Sequence, residues 1–427
     1  MPQNYLLPSV DGPIISIPST VMLREKWTGA MLDATGRAYS GALRLDFSPD
    51  CVQEEAWDAV ADTLARYPIL AACFKYDNDT VVGHAPTESK LRLALREHLE
   101  TGHQGVTNES FLAYRARHAS DPGLRLASVR DDSGLHIWIG FWIFTCDGAS
   151  IDLIVDEITK RYTGVPVTHH PLEWTEYASL ENSYAKERTE LSRDMTDVYL
   201  AEGPYGMDNI RTTPRGSTGR MQSVPFHTNI LRQTVLASSK AYRVTPFTLL
   251  FAAYQQAISA VSGTSRVITG VPLVNRRRPE DYTVVGPISN TVPIPTQYDL
   301  KGSIKETVKS IQLSVIKATE RQHIEPAALY PKGITPRTAA YELPYPQLFN
   351  AWNSQRVHSR ISLGQTEWMT VNLLPNSTCR VGFEMTLDEQ SESISGRMDM
   401  DLDAYEGRAT QVAGHMVEEL NKFILNA

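Results

Sequence analysis

The stretch Thr145-Cys146-Asp147-Gly148-Ala149-Ser150 puts a thiol, a carboxylate and two hydroxyls at one junction of the chain. Before it runs GLHIWIGFWIFT (134–145), almost continuously apolar and so read as a buried central strand. After it comes ASIDLIVDEITKRYTG (149–164), with apolar residues at helical spacing and a glycine stop. A strand, a tight turn and a helix in that order place the turn where chain ends converge on a cleft. A thiolate is favoured at a helix N-terminus, which makes Cys146 a candidate nucleophile. No histidine lies nearby in sequence to take its proton, so a buried small hydrophobe is the competing reading. Thr145 and Ser150 could donate hydrogen bonds to a substrate carbonyl, and Ser150 equally suits a cap in the first helical turn. His136, on the strand leading to the turn, reads as a satisfied core or edge histidine. Arg276, Arg277 and Arg278 form a short basic run that could face a phosphate-bearing partner, or simply a solvated turn.

The composition around these residues narrows the function classes. The chain has 427 residues, 42% hydrophobic and 21% charged, enough for two core-bearing lobes of a soluble globular protein. A net charge of -8, with Lys and Arg scattered, leaves no electrostatic footprint for nucleic acid or an anionic membrane. The four cysteines, Cys51, Cys73, Cys146 and Cys379, form no CxxC pair and no metal-ligand spacing, so no bound metal is expected and a reducing cytoplasm fits best. The N-terminus lacks a basic start followed by an apolar run, and no stretch is apolar for long enough to span a bilayer.

Further elements must position the junction. GALRLDFSPD (41–50) alternates like a strand, and CVQEEAWDAVADTLARYP (51–68) carries Val52, Ala56, Ala59, Val60 and Leu64 at helical spacing until Pro68. ILAACFKYD and TVVGHAP read as two more strands, and LASVRDD pairs with the central strand through Asp131-Asp132-Ser133-Gly134. A polar stretch at 108–119 reads as helix-rich. TGVPVTHHPLEWT (163–175) is rich in turn formers and reads as an inter-lobe connection, and 204–219 as a loop. FHTNILRQTVLASSKAYRV and TPFTLLFAAYQQAISAVSG read as two helices, RVITGVPLV as a buried strand, and 320–346 as a Pro-rich crossing segment. CRVGFEMTLD and SGRMDMDL return to strands, closed by an amphipathic helix, ATQVAGHMVEELNKFIL. The expected architecture is α/β (α+β) in two lobes of similar make-up, divided as 1–170 and 171–427.

Read as one unit, residues 245–294 resemble the condensation domains of nonribosomal peptide synthetases. Those domains carry an apolar helix, then a Gly-x-Pro-x-x-Asn-Arg segment and a Gly-x-x-x-Asn-Thr-x-Pro segment. Here these are Gly270, Pro272, Asn275, Arg276 and Pro279, then Gly286, Asn290, Thr291 and Pro293. ARYPILAACF, WTEYASLE, a floor segment YPQLFNAWNS and GRMDMDLDAYEG follow in the family's order. The resemblance covers nearly the whole chain. It implies two chloramphenicol-acetyltransferase-like lobes in a V-shaped pseudo-dimer, with a central tunnel that admits carrier-bound substrates from opposite faces. It also implies a free-standing, monomeric unit with no adenylation or carrier module attached.

In active members of that family a His-His-x-x-x-Asp-Gly stretch ends the central strand, and its second histidine orients or deprotonates the attacking amine. The counterpart is Trp142-Ile143-Phe144-Thr145-Cys146-Asp147-Gly148, with neither histidine. The adjacent His169 and His170 are followed by Pro171-Leu172-Glu173-Trp174 and lack that spacing. The resemblance pairs Asp147 with Arg276 in an ion pair that holds the turn and joins the lobes. Ile143 stands where the base would be and cannot transfer a proton; with Trp142 it suggests an apolar tunnel centre. Asn290, Asn353 and Ser354 could point into the tunnel or anchor their own backbone.

The expected function lies in nonribosomal peptide or related secondary-metabolite biosynthesis. The protein would bind an acyl or aminoacyl intermediate, free or on a phosphopantetheinyl peptidyl or acyl carrier protein, and promote acyl transfer or cyclisation by positioning, with no cofactor of its own. The alternative is a catalytically inactive module that recruits carrier proteins or tailoring oxygenases.

Overall fold

The computed structural model describes residues 14–33, 38–77, 80–113, 123–168, 171–190, 192, 205–213, 220–297, 303–325, 345–352, 360–363, 366–374, 381–388 and 391–427. The chain divides into two compact units, neither continuous in sequence. The first comprises Met1–Tyr184, Arg276–Ser289 and Ser354–Asn376, and the second Ala185–Asn275, Asn290–Asn353 and Ser377–Ala427. The break expected at residue 170 falls inside the first unit, and two later segments return to it.

The first unit opens with β1 (Ile14–Pro18), α1 (Val21–Leu32), β2 (Ser40–Phe47), α2 (Gln53–Ala65), β3 (Cys73–Asp77), β4 (Thr80–Pro86) and α3 (Glu88–Glu100). It continues with α4 (Asn108–Ala113), β5 (Arg125–Asp131), β6 (Gly134–Trp142), α5 (Gly148–Tyr162) and α6 (Trp174–Ser183). The second unit supplies β7 (Met221–Leu231), β8 (Arg266–Leu273), β9 (Asn290–Gln297) and β10 (Gln347–Trp352). The chain then gives β11 (Arg360–Leu363) and β12 (Thr366–Leu373) to the first unit, and β13 (Phe383–Asp388) and β14 (Ser393–Asp401) to the second.

The described residues form three sheets, with strand orders β11-β12-β2-β6-β5 and β1-β4-β3 in the first unit and β7-β14-β13-β10-β8-β9 in the second. The pairings are antiparallel except for those of β10, which runs parallel to both β8 and β13. As its apolar run implies, β6 is interior to its sheet: Leu135, Ile137, Trp138, Ile139, Phe141 and Trp142 are all buried. α2 buries Ala56, Val60 and Leu64 and packs on α3 and α5, with Glu54 and Glu55 in its first turn, where the helix dipole favours negative charge. In the second unit the apolar helix Pro246–Ser262 packs on the closing helix Arg408–Leu425, which buries Val412, Met416, Leu420 and Phe423.

Three element boundaries differ from the sequence reading. Residues 226–231, expected at the start of a helix, belong to β7, where Phe226 and Ile230 are buried and His227 and Asn229 exposed. So short a segment, with apolar residues at 226, 230 and 231, fits both periodicities, and pairing with β14 decides for the strand. Pro68–Ala71 form a 3-10 turn, so the strand expected from residue 69 begins at Cys73. β6 ends at Trp142, three residues before Thr145.

His136 lies opposite Asp46 in the β2–β6 ladder. Its Nδ1 is 2.5 Å from Asp46 Oδ1, while its Nε2 is 2.9 Å from Ser133 Oγ and 3.3 Å from Asp131 Oδ1. Asp46 also accepts hydrogen bonds from Arg44 and Asn372. The Asp46 hydrogen bond, more than offsetting the effect of burial, and the Asp131 carboxylate raise the imidazole's pKa above its ordinary value. His136 is thus a satisfied sheet histidine, at the opposite end of β6 from Trp142.

A group whose pKa rises on folding stabilises fully below its unfolded value and loses that contribution as pH climbs through the folded one. His136→Ala is therefore expected to lower stability by about 1–2 kcal/mol at pH 5.5. The difference from the parent should shrink toward pH 9, as urea denaturation at both pH values will show.

Candidate functional site

The turn after β6 is held by backbone and side-chain bonds. Ile143 N–H donates to Tyr39 O, while Thr145 N–H, Cys146 N–H and the Thr145 hydroxyl all donate to Trp142 O. Trp142 stacks on Phe144 at 5.3 Å between ring centroids, and Phe144 meets Phe74 edge to face. Asp147 caps α5: its Oδ1 accepts from Ser150 N–H at 2.9 Å and lies 2.7 Å from the Ser150 hydroxyl.

The same carboxylate receives the segment Arg276–Ser289. Arg276 Nη1 donates to Asp147 Oδ2 at 3.1 Å and Nη2 to Oδ1 at 3.3 Å, a two-pronged pair with both side chains buried. Ser289 N–H donates to Oδ2 at 2.9 Å. Arg276 Nη2 also donates to Val284 O. Gly286 N–H donates to Ser150 Oγ, which lies 3.0 Å from Gly286 O as well. Lys26 Nζ, from α1, donates to Pro287 O and Ser289 O. A Cβ at Gly286 would lie 2.4 Å from the Trp174 ring, so glycine is required there by close approach.

Burial opposes charge on Asp147, but Arg276 foremost, then Lys26 and the bonds from Ser150 and Ser289, outweigh it and hold the carboxyl below the ordinary carboxylate range. Asp147 is therefore an ionised anchor and a poor base. Both partners of the pair lie in the first unit, where the contact fixes a segment whose chain neighbours on either side belong to the second.

The other residues singled out in the sequence fall as follows. Thr145, Cys146 and Ser150 are all buried. Burial first, and then the Asp147 charge, push the Cys146 thiol well above its usual range, against the nucleophile reading. The Thr145 and Ser150 hydroxyls are engaged with Trp142 O and with Asp147 and Gly286. Trp142 is buried in its aromatic stack. Ile143 is the one residue from Trp142 to Asp147 that is not buried. Asn290, in the second unit, donates its amide to Gln322 O and Ile324 O as a backbone anchor. Asn353, Ser354, His169 and His170 lie outside the described residues. Arg277 is exposed, with its guanidinium over the Tyr184 ring, while the Arg278 side chain is bonded to Asp281. No histidine is hydrogen-bonded to Asp147, Arg276 or Ser150 among the described residues. Lys26 and Ser289 were not foreseen; only the position of Ser289 next to Asn290 could have pointed to it.

Residues 17–343 match the family model of the Condensation domain, and the chain belongs to that family. Its sequence is 23% identical over 291 residues to the cyclosporin synthetase of Tolypocladium inflatum, covering 65% of this chain and 2% of that one. The chain thus spans a few per cent of the length of the curated relatives it matches. Its fold is similar to the condensation domain of the monacolin K polyketide synthase, with a TM-score of 0.77 at 12% identity, covering 97% of this chain and 99% of that one. It is also similar to the X-domain from teicoplanin biosynthesis, with a TM-score of 0.68 at 16% identity, covering 98% and 97%. Among the described residues no helix is long and apolar enough to cross a membrane.

Removing one partner of a buried pair strands the other's charge, so Asp147→Ala is expected to cost about 3–5 kcal/mol. The double variant Asp147→Leu, Arg276→Met should recover most of that loss in urea denaturation. Because the Asp147 pKa falls on folding, its contribution is present above the unfolded carboxyl value near pH 4 and disappears as pH drops through the folded one. Iodoacetamide at pH 8 should leave Cys146 unmodified in the native protein and alkylate it in urea, as peptide mass mapping will show.

Proposed function

We propose that this protein holds an acyl or aminoacyl intermediate, carried on a phosphopantetheinyl carrier protein, and promotes acyl transfer or ring closure by orientation alone. The observation that carries the reading is the state of the strand end. Ile143 is the one residue between Trp142 and Asp147 that is not buried, and the neighbouring thiol, hydroxyls and carboxylate are buried and engaged. A substrate at this strand end meets a hydrocarbon side chain where the family resemblance puts a base. Its nucleophile must therefore arrive already reactive. Fixing two groups in a near-attack geometry can still supply about 7–11 kcal/mol of the barrier.

A second reading is recruitment without turnover. It is favoured by the same engagement of Thr145, Cys146 and Ser150, which preserves shape while leaving no side chain to carry out chemistry.

Loaded carrier proteins from the same biosynthetic system provide the test. New product, formed at a rate that follows the ionisation of the substrate amine and survives Cys146→Ala and Thr145→Val, supports orientation. Complex formation in a pull-down with no product over hours supports recruitment, and no complex at all rejects both. Ile143→His is expected to raise any acyl-transfer rate by about 100-fold, the lower range for an added general base. NMR titration of the introduced imidazole should show it solvent-accessible.

A further inference from the structure

We infer that the last turn of α3 and the loop after it form an acid-released cover on the outer edge of β5, closed while His98 and His103 are neutral and released when they take up protons. Among the described residues β5 stands at the end of its sheet, paired with β6. Its outer edge is bonded by two histidines in the place where a further strand would add. His98 Nε2 donates to Leu126 O at 3.1 Å. The backbone N–H of His103 donates to Ser128 O at 2.9 Å, and Ser128 N–H donates back to His103 Nδ1 at 3.4 Å. The two imidazole rings lie 4.9 Å apart between centroids.

These bonds fix where each proton sits. Leu126 O can only accept, so His98 carries its hydrogen on Nε2; Ser128 N–H can only donate, so His103 Nδ1 is bare. A proton added to His103 Nδ1 meets the Ser128 N–H donor to donor and breaks that bond. A proton added to His98 goes to Nδ1 and sets a cation beside the His103 ring, which opposes a second charge there. Burial lowers the His98 pKa, partly opposed by the Leu126 bond, and no carboxylate offsets it.

α3 packs on α2 and β5, and the charges that these elements bring are engaged. On α3, Arg96 is shared by Glu54 and Asp58 of α2 and by Glu100 of its own helix, while Glu97 is exposed. On β5, Arg125 bonds the Ser40 hydroxyl and Arg130 bonds Pro49 O and Cys51. From α2, the Trp57 indole N–H reaches Ser128 Oγ at 2.8 Å, a neutral contact. The chain enters and leaves the His103 region through Gly102 and Gly105, both with left-handed backbone (φ 61° and 76°), which gives the cover two hinges. Its release leaves the β5–β6 pairing in place and opens Leu126 O and both backbone groups of Ser128 to another strand. Acidity is thereby coupled to strand pairing at this edge.

Amide hydrogen exchange of the full chain, followed residue by residue, tests the device. A released histidine titrates near pH 6.5, so each one that must be neutral in the closed cover favours release about tenfold between pH 7.5 and 5.5. After correction for intrinsic rates, protection of the Ser128 amide is expected to fall about ten- to a hundredfold over that interval, with no fall at Ile139 inside β6. The double variant His98→Gln, His103→Asn keeps a donor and an acceptor at these places without a titrating ring, and should abolish the effect. Unchanged Ser128 protection in the parent, a parallel loss at Ile139, or an equal loss in the double variant would each overturn the inference; the first two need no variant. No substrate or carrier enters the measurement, so its outcome is independent of the acyl-transfer reading.

Discussion

An ionised carboxylate and a guanidinium that are both taken out of water hold together only with close pairing and further hydrogen bonds to their remaining polar atoms. Asp147 and Arg276 make two contacts with one another, the carboxylate takes further bonds from Ser150 and the Ser289 amide, and the guanidinium gives one to Val284 O. The rest of the local architecture follows from this requirement. The carboxylate must stand at the start of α5, so β6 must stop at Trp142 and turn sharply. The guanidinium must arrive from far along the chain, so the segment after Asn275 enters the first unit. Asn275 itself takes a left-handed backbone at φ 55°, which asparagine tolerates better than most residues, at the point where the chain passes from one unit to the other.

Saturation of that carboxylate also shapes the chemistry open to the protein. A hydroxyl held between Asp147 and Gly286 serves as a rivet, and a thiol pushed up by burial stays protonated. Polar groups close to the strand end are thereby used for structure. The chain belongs to the Condensation domain family, and Ile143 is the residue of this strand end that is not buried.

Much of this was legible in the residues, and the reasons for the failures are physical. The continuous apolar run predicted β6 as an interior strand, and the Asp147–Arg276 pair was foreseen from the resemblance alone, because nothing in local periodicity links residues 129 positions apart. The unit to which Arg276 belongs was not legible, since sequence order does not reveal that residues 276–289 leave the unit on either side of them. For Cys146 the reading as a buried small hydrophobe stands against the nucleophile that a helix start allows; the burial and the adjacent carboxylate that decide between them are tertiary facts. The end of β7 was misread as helix because six residues with three apolar positions, 226, 230 and 231, fit either period. Lys26 acts on backbone carbonyls of the returning segment and Ser289 through its own amide, which side-chain types do not announce.

The pairing of β12 with β2 sets Met369 beside Phe47 and joins Asn372 to Asp46 across 326 positions. During synthesis the first unit has most of its strands early, yet it lacks the partner of Asp147 until residue 276 and two strands of its main sheet until residue 373 has left the ribosome. β2 therefore waits until then with the edge that β12 will cover unpaired, a state that makes folding slow and exposes the nascent chain to aggregation.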